Sequence, residues 1–69
     1  MAIVKVIEVI AQSDKSWQHA AQEAIRLASK TVRNINHIYL KDMQGIVEDN
    51  EIVLYRVNAN ISFLVDDED

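Results

Sequence analysis

The sequence predicts an α+β fold of order β-α-β-β, in which a three-stranded antiparallel sheet wraps around one helix. Three observations predict it. The hydrophobic period changes twice along the chain, from a β-branched run to a three-and-four spacing and back to alternation. A polar stretch, Glu48-Asp49-Asn50-Glu51, divides the last two alternating runs as a hairpin turn does. The one stretch of helical period has too small an apolar stripe to cover both faces of the sheet.

The first strand is the run Ile3 to Ile10, rich in β-branched residues and charged only at Lys5 and Glu8. The cluster Gln12-Ser13-Asp14-Lys15-Ser16 ends it and offers Ser13 or Ser16 as a helix N-cap. From Trp17 to Val32 the spacing is helical: Trp17, Ala20 or Ala21, Ala24 or Ile25, Ala28 and Val32 fall on one side, with Gln18, Gln22, Arg26, Ser29 and Arg33 largely opposite. Alanine at 20, 21, 24 and 28 lets the helix axis approach closely, so the helix is expected in the concave face of a curved sheet. Lys30 and Arg33 are expected in its last turn, against the negative end of the helix dipole.

After Asn34 the period returns to two. Ile38, Leu40, Asp42, Gln44 and Ile46 fall on one face and His37, Tyr39, Lys41, Met43, Gly45 and Val47 on the other, with a bend or bulge expected near the sole glycine, Gly45. The last strand alternates most clearly. Val53, Tyr55, Val57, Ala59, Ile61, Phe63 and Val65 share the core face, leaving Ile52, Leu54, Arg56, Asn58, Asn60, Ser62 and Leu64 on an outer face that a lone helix leaves uncovered.

Composition narrows the function classes. Sixty-nine residues form one domain, here residues 1–65, followed by the acidic tail Asp66-Asp67-Glu68-Asp69, read as a solvated, disordered end. A chain this short buries only about 60% of its unfolded surface, and such domains lean on disulfides, metals or oligomerisation. It has no cysteine, yet it is 49% hydrophobic. That surplus points to self-association. Seven basic against eleven acidic residues give a net charge of −4 with no basic cluster, which argues against nucleic acid as a partner. No apolar run approaches the ~20 residues of a membrane span, and Lys5 and Glu8 interrupt what a signal peptide would keep apolar. The expected location is the cytoplasm. Catalysis is not expected either: no nucleophile triad, phosphate-cradling glycine loop or pair of histidines at ligand spacing occurs.

The chain resembles the dodecins over residues 3–65. The features that carry the resemblance are the opening strand Lys5-Val6-Ile7-Glu8-Val9-Ile10, the serine-containing link, and the alanine-rich helix from Trp17 to Ile25. They continue in Lys30-Thr31-Val32-Arg33 and in Tyr55-Arg56-Val57 and Ile61-Ser62-Phe63. The resemblance implies a hollow homododecamer that binds flavins, such as riboflavin, lumichrome or FMN, between subunits for storage or quenching. The implied site residues are His37, Gln44 and Arg56. His37 stands where flavin-binding members carry a stacking Trp, and Arg56 where they carry a Gln that hydrogen-bonds the flavin's polar edge. An indole contributes on the order of 1–3 kcal/mol by stacking, most of which imidazole loses. Arginine donates to a carbonyl but accepts from no ring N–H. The expectation is a weaker flavin site, or one that uses Trp17 or Tyr39.

Ser16-Trp17 with Tyr55-Arg56 looks more like a divergent branch, the calcium dodecins. This implies calcium as the alternative ligand. Calcium takes six to eight oxygens. The chain has no acidic loop of the helix-loop-helix kind, so a site would be assembled across subunits from candidates such as Glu8 and Asp42, with Glu48, Asp49 and the tail as further donors. The plainer readings make His37 a structural or exposed residue, His19 a helix-surface residue, Arg56 an interfacial ion-pair or hydrogen-bond donor, and Trp17 a core or subunit-contact aromatic.

Overall fold

The elements follow in the expected order: β1 (Ile3–Ser13), α1 (Trp17–Ala28), β2 (Ile35–Glu48) and β3 (Glu51–Val65). The computed structural model describes residues 3–65, and the expected acidic tail lies outside them. The sheet runs β1-β3-β2 with both pairings antiparallel, so the most regularly alternating strand is central. Its inner face supplies Val57, Ala59 and Ile61, and α1 adds Ala20 and Ala24. These five are the buried apolar residues among those described. The two alanines sit four apart on one side of α1, and their small size lets the helix lie close over β1 and β3. Gln18, Gln22 and Arg26 face away, exposed.

Ser16 is the N-cap. Its side chain accepts from the His19 N–H at 2.9 Å, which satisfies one of the helix's unpaired donors. Ser13 is not a cap but the last residue of β1, which runs three residues beyond the expected end and pairs Gln12 with Arg56 and Ser13 with Tyr55. The helix stops at Ala28, four residues short of Val32. The last turn tightens there, with the Lys30 and Thr31 N–H groups reaching only three residues back, to the carbonyls of Leu27 and Ala28. Ser29 Oγ adds a bond to the Arg26 carbonyl at 2.7 Å and Thr31 Oγ1 one to that of Ala28 at 3.3 Å. Arg26, not Lys30 or Arg33, is therefore the basic residue of the last turn.

The hairpin between β2 and β3 turns as the sequence predicts. Asp49 and Asn50 both adopt the left-handed conformation, with φ of 52° and 66°, as a two-residue type I′ turn requires. Three irregularities break the β2–β3 register, between Ile35 and His37, Leu40 and Asp42, and Ile46 and Val47. The third falls just past Gly45, but its extra residue is Val53 of β3, since Ile46 pairs with Leu54 and Val47 with Ile52, so the second strand is not itself bulged at the glycine. The second reorders the faces. Ile38 pairs with Ile61 and Leu40 with Ala59, but Lys41 is an extra residue, so Asp42 pairs with Asn58 and Met43 with Val57. Residues directly opposite share a face. Ile38, Leu40, Met43 and Gly45 therefore face inward, and His37, Tyr39, Asp42, Gln44 and Ile46 face outward. This corrects the strict alternation, which divided His37 from Gln44. Ile52 is corrected too: beyond the third irregularity it lies on the inner side, 3.4 Å from where a Cβ on Gly45 would stand.

The radius of gyration is 14.3 Å, against about 11 Å for a compact chain of this length. The long hairpin outruns the twelve-residue helix. Much apolar surface is left uncovered as a result, with Ile10 68% and Tyr39 and Met43 each 59% exposed.

Candidate functional site

The outer face of the sheet carries the polar groups that the inner face excludes. At its centre lies one rung made by three strands: Gln12 of β1, Arg56 of β3 and Gln44 of β2. Arg56 Nε donates to Gln12 Oε1 at 3.1 Å, and Gln44 stands directly opposite Arg56 on the other side. The backbone at Gln44 is fixed from the inner face, where Trp17 Nε1 donates to its carbonyl at 2.9 Å. Trp17 in turn meets Tyr55 edge to face, with ring centroids 4.8 Å apart. Sequence reasoning offered Trp17 as an alternative stacking platform. It belongs instead to the inner face, whereas Tyr39 stands exposed on the outer face opposite Asn60.

His37 shares the outer face with Arg56 but is not beside it. Its partner is Ser62, six residues along β3 from Arg56, a separation of about 20 Å at the usual strand rise. One chain thus unites Gln44 with Arg56 and holds His37 apart. His37 is exposed and lines an open cavity of about 740 Å³ with Arg33, Asn34 and Ile25.

The two candidate metal ligands also face outward. Glu8 pairs in register with Asn60, and Asp42 with Asn58, so they flank β3 from opposite sides. That puts two inter-strand spacings, about 10 Å, between their strands. Glu8 is engaged by Lys41, whose Nζ lies 2.9 Å from Oε2. The Lys41 ammonium, by hydrogen bond and charge, holds the Glu8 carboxyl below its ordinary range, with a smaller contribution from Asn58. Glu8 reciprocally holds Lys41 above its own. Beneath them the Asn58 Oδ1 is buried and has no hydrogen-bond partner. Among the described residues no three His, Cys, Asp or Glu side chains gather as a metal cage would require.

His19 is not a free surface residue. Its Nδ1 shares a 2.7 Å hydrogen bond with the buried Ser13 hydroxyl, which also accepts from the Lys15 N–H. Gln12 and Lys41 are the residues that sequence reasoning missed. Continuing the β1 alternation two residues past Ile10 would have placed Gln12 beside Arg56. Nothing in the sequence singles out Lys41 as the bulge.

The profile of the dodecin family matches residues 3–66 of this sequence. The chain belongs to the dodecin family. Among curated relatives it is 32% identical over 63 residues to the calcium dodecin of Mycobacterium tuberculosis, covering 91% of this chain and 89% of that one. The crystal structure of that calcium dodecin, described as calcium chelating with a novel calcium-binding site, superposes with a TM-score of 0.77 at 31% identity over 88% of this chain and 87% of that one. A mutant of the T. thermophilus dodecin superposes at 0.91 with 22% identity, covering 99% of this chain and all of the other. The dodecin of Streptomyces davaonensis does so at 0.88 with 21% identity, covering 96% and 97%. At these lower identities the likeness establishes the dodecin fold alone. No helix among the described residues of this dodecin is long and apolar enough to cross a membrane.

Proposed function

We propose that this dodecin is a non-catalytic binding and storage protein. Twelve copies assemble into a shell and sequester a flavin, riboflavin, FMN or lumichrome, at sites between subunits in the cytoplasm. The observation that carries the reading is the bulge at Lys41, which brings His37 and Gln44 to the face that holds Arg56. His37 stands about 20 Å from the Gln44–Arg56 pair within one chain. A site that uses all three is therefore completed by a second copy. The uncovered apolar side chains of the outer face, Ile10 and Tyr39 among them, supply area for such contacts.

Calcium is the second reading, favoured by the 32% identical relative that bears calcium in its name. Glu8 and Asp42 both face outward, and in a symmetric assembly each would recur around an axis. The Lys41 ammonium already occupies Glu8, so calcium would have to displace it. Titration separates the two. Flavin fluorescence should be quenched by micromolar protein if flavin is the ligand, and more strongly by the double variant His37→Trp/Arg56→Gln. Heat released on calcium injection, absent in Glu8→Gln/Asp42→Asn and accompanied by no flavin quenching, would favour the second reading over the first.

A further inference from the structure

We infer that Arg56 makes the outer-face site selective for anions, so that its ligand is a planar aromatic molecule bearing a carboxylate or phosphate. The inference rests on the ligand-binding reading and names the class of ligand. The other cations without a carboxylate partner, Lys5, Lys15, Lys30 and Arg33, are exposed, whereas Arg56 is half-buried in the middle of the central strand. Among the described residues the ion pairs are Arg26–Glu23 and Lys41–Glu8, and neither involves Arg56. Its Nε is taken by the neutral Gln12 amide, which fixes the guanidinium across the sheet. Its two terminal nitrogens find no acceptor among the described residues. They form the fork that binds two oxygens of one anion.

The surroundings add the second requirement. Two residues along the same outer face stand Leu54 on β3 and its partner Ile46 on β2, an apolar surface next to the guanidinium. A flat sheet surface with aliphatic side chains beside a fixed cation suits an aromatic ring whose anionic group, on the ring or on a chain attached to it, reaches the guanidinium. The nearest carboxylate on that face is Asp42, diagonal to Arg56 and more than an ion-pair distance away. It weakens the positive field without cancelling it.

The test compares matched pairs of ligands, FMN with riboflavin and 2-naphthoate with 2-naphthylmethanol. Each is titrated into the native assembly, Arg56→Gln and Asp42→Asn, and binding is followed by fluorescence and by the Arg56 side-chain N–H resonances. The native protein should prefer the anionic member of each pair by about tenfold, in line with the strength of charge-assisted bonds. The preference should vanish in Arg56→Gln, grow in Asp42→Asn and fall with salt. Equal binding of both flavins would overturn the inference and leave the flavin reading standing. Failure of both flavins, with naphthoate binding through Arg56, would end the flavin reading and support the inference. If naphthoate leaves the Arg56 resonances unmoved, the inference is wrong. That holds also where Arg56→Gln alters only the sedimentation of the assembly, which would assign the guanidinium to a carboxylate of a second copy.

Discussion

Single residues decide more of this protein than their chemistry suggests. Asp49 and Asn50 close the hairpin in a conformation that costs most side chains about 1–2 kcal/mol, because Cβ meets the following carbonyl. Asn50→Val should lower the unfolding free energy by about that amount in urea denaturation, and Asn50→Gly should not. Glu8 and Lys41 are exposed, so their pairing is a matter of pH dependence before it is one of stability. Glu8 is depressed by Lys41, so its contribution is full above the unfolded-state value near 4.3 and disappears as pH falls through the lower folded-state value. Lys41 is raised by Glu8, so its contribution is full below about 10.4 and is lost as pH rises through the higher folded-state value. The difference in urea midpoint between the native protein and Glu8→Gln should therefore be constant near neutrality and close as pH falls below the ordinary carboxylate range and through the depressed folded-state value. A difference that persisted at low pH would place the stabilising effect of Glu8 elsewhere than in its charge.

At the scale of elements, the legible features are those with a local physical cause. The core face of β3 was readable because Val57, Ala59 and Ile61 alternate without interruption, and the turn because Asp and Asn accept positive φ. The helix end was not, because Val32 continues the apolar spacing while the Lys30 and Thr31 N–H groups shift to carbonyls three residues back, a tightening that no periodicity announces. The bulge at Lys41 was not legible either. Leu40-Lys41-Asp42-Met43 contains no glycine, and polar residues at 41 and 42 fit either register, so only the pairing of Met43 with Val57 settles the faces. This one residue also determines the candidate site, since Gln44 joins Arg56 on the outer face only because Lys41 is left over. The identity of the extra residue should not matter to the faces. Lys41→Ala should keep the fold and the Gln44–Arg56 rung, losing only the pair with Glu8. Deleting residue 41 should remove the bulge and leave Asp42 opposite Asn58, Met43 opposite Val57 and Gln44 opposite Arg56, because those partners already alternate regularly without it. Loss of ligand binding in the deletion variant, with the fold kept, would show that the bulge itself and not the faces it sets makes the site.

The whole molecule explains what its small core cannot. Five buried apolar residues among those described, three of them alanines, are a slender interior for a chain that is 49% hydrophobic. The surplus lies on Ile10, Tyr39, Met43, Val47 and others left in solvent by a single copy. Burial returns about 25 cal/mol per Å² of apolar area, so covering several such side chains between copies adds kcal/mol per subunit that the isolated fold lacks. In the proposed assembly, self-association and ligand binding would be one property, since a site that uses His37 with Gln44 and Arg56 needs a second copy. Stability should accordingly depend on concentration, with the melting temperature falling on dilution into the nanomolar range. The most direct test is native mass spectrometry of the purified protein after exposure to riboflavin and FMN. A flavin-storing dodecamer should give an ion of twelve 7.9 kDa chains carrying flavin, and lose the flavin mass when the assembly is split. Monomers or dimers without bound flavin would contradict it.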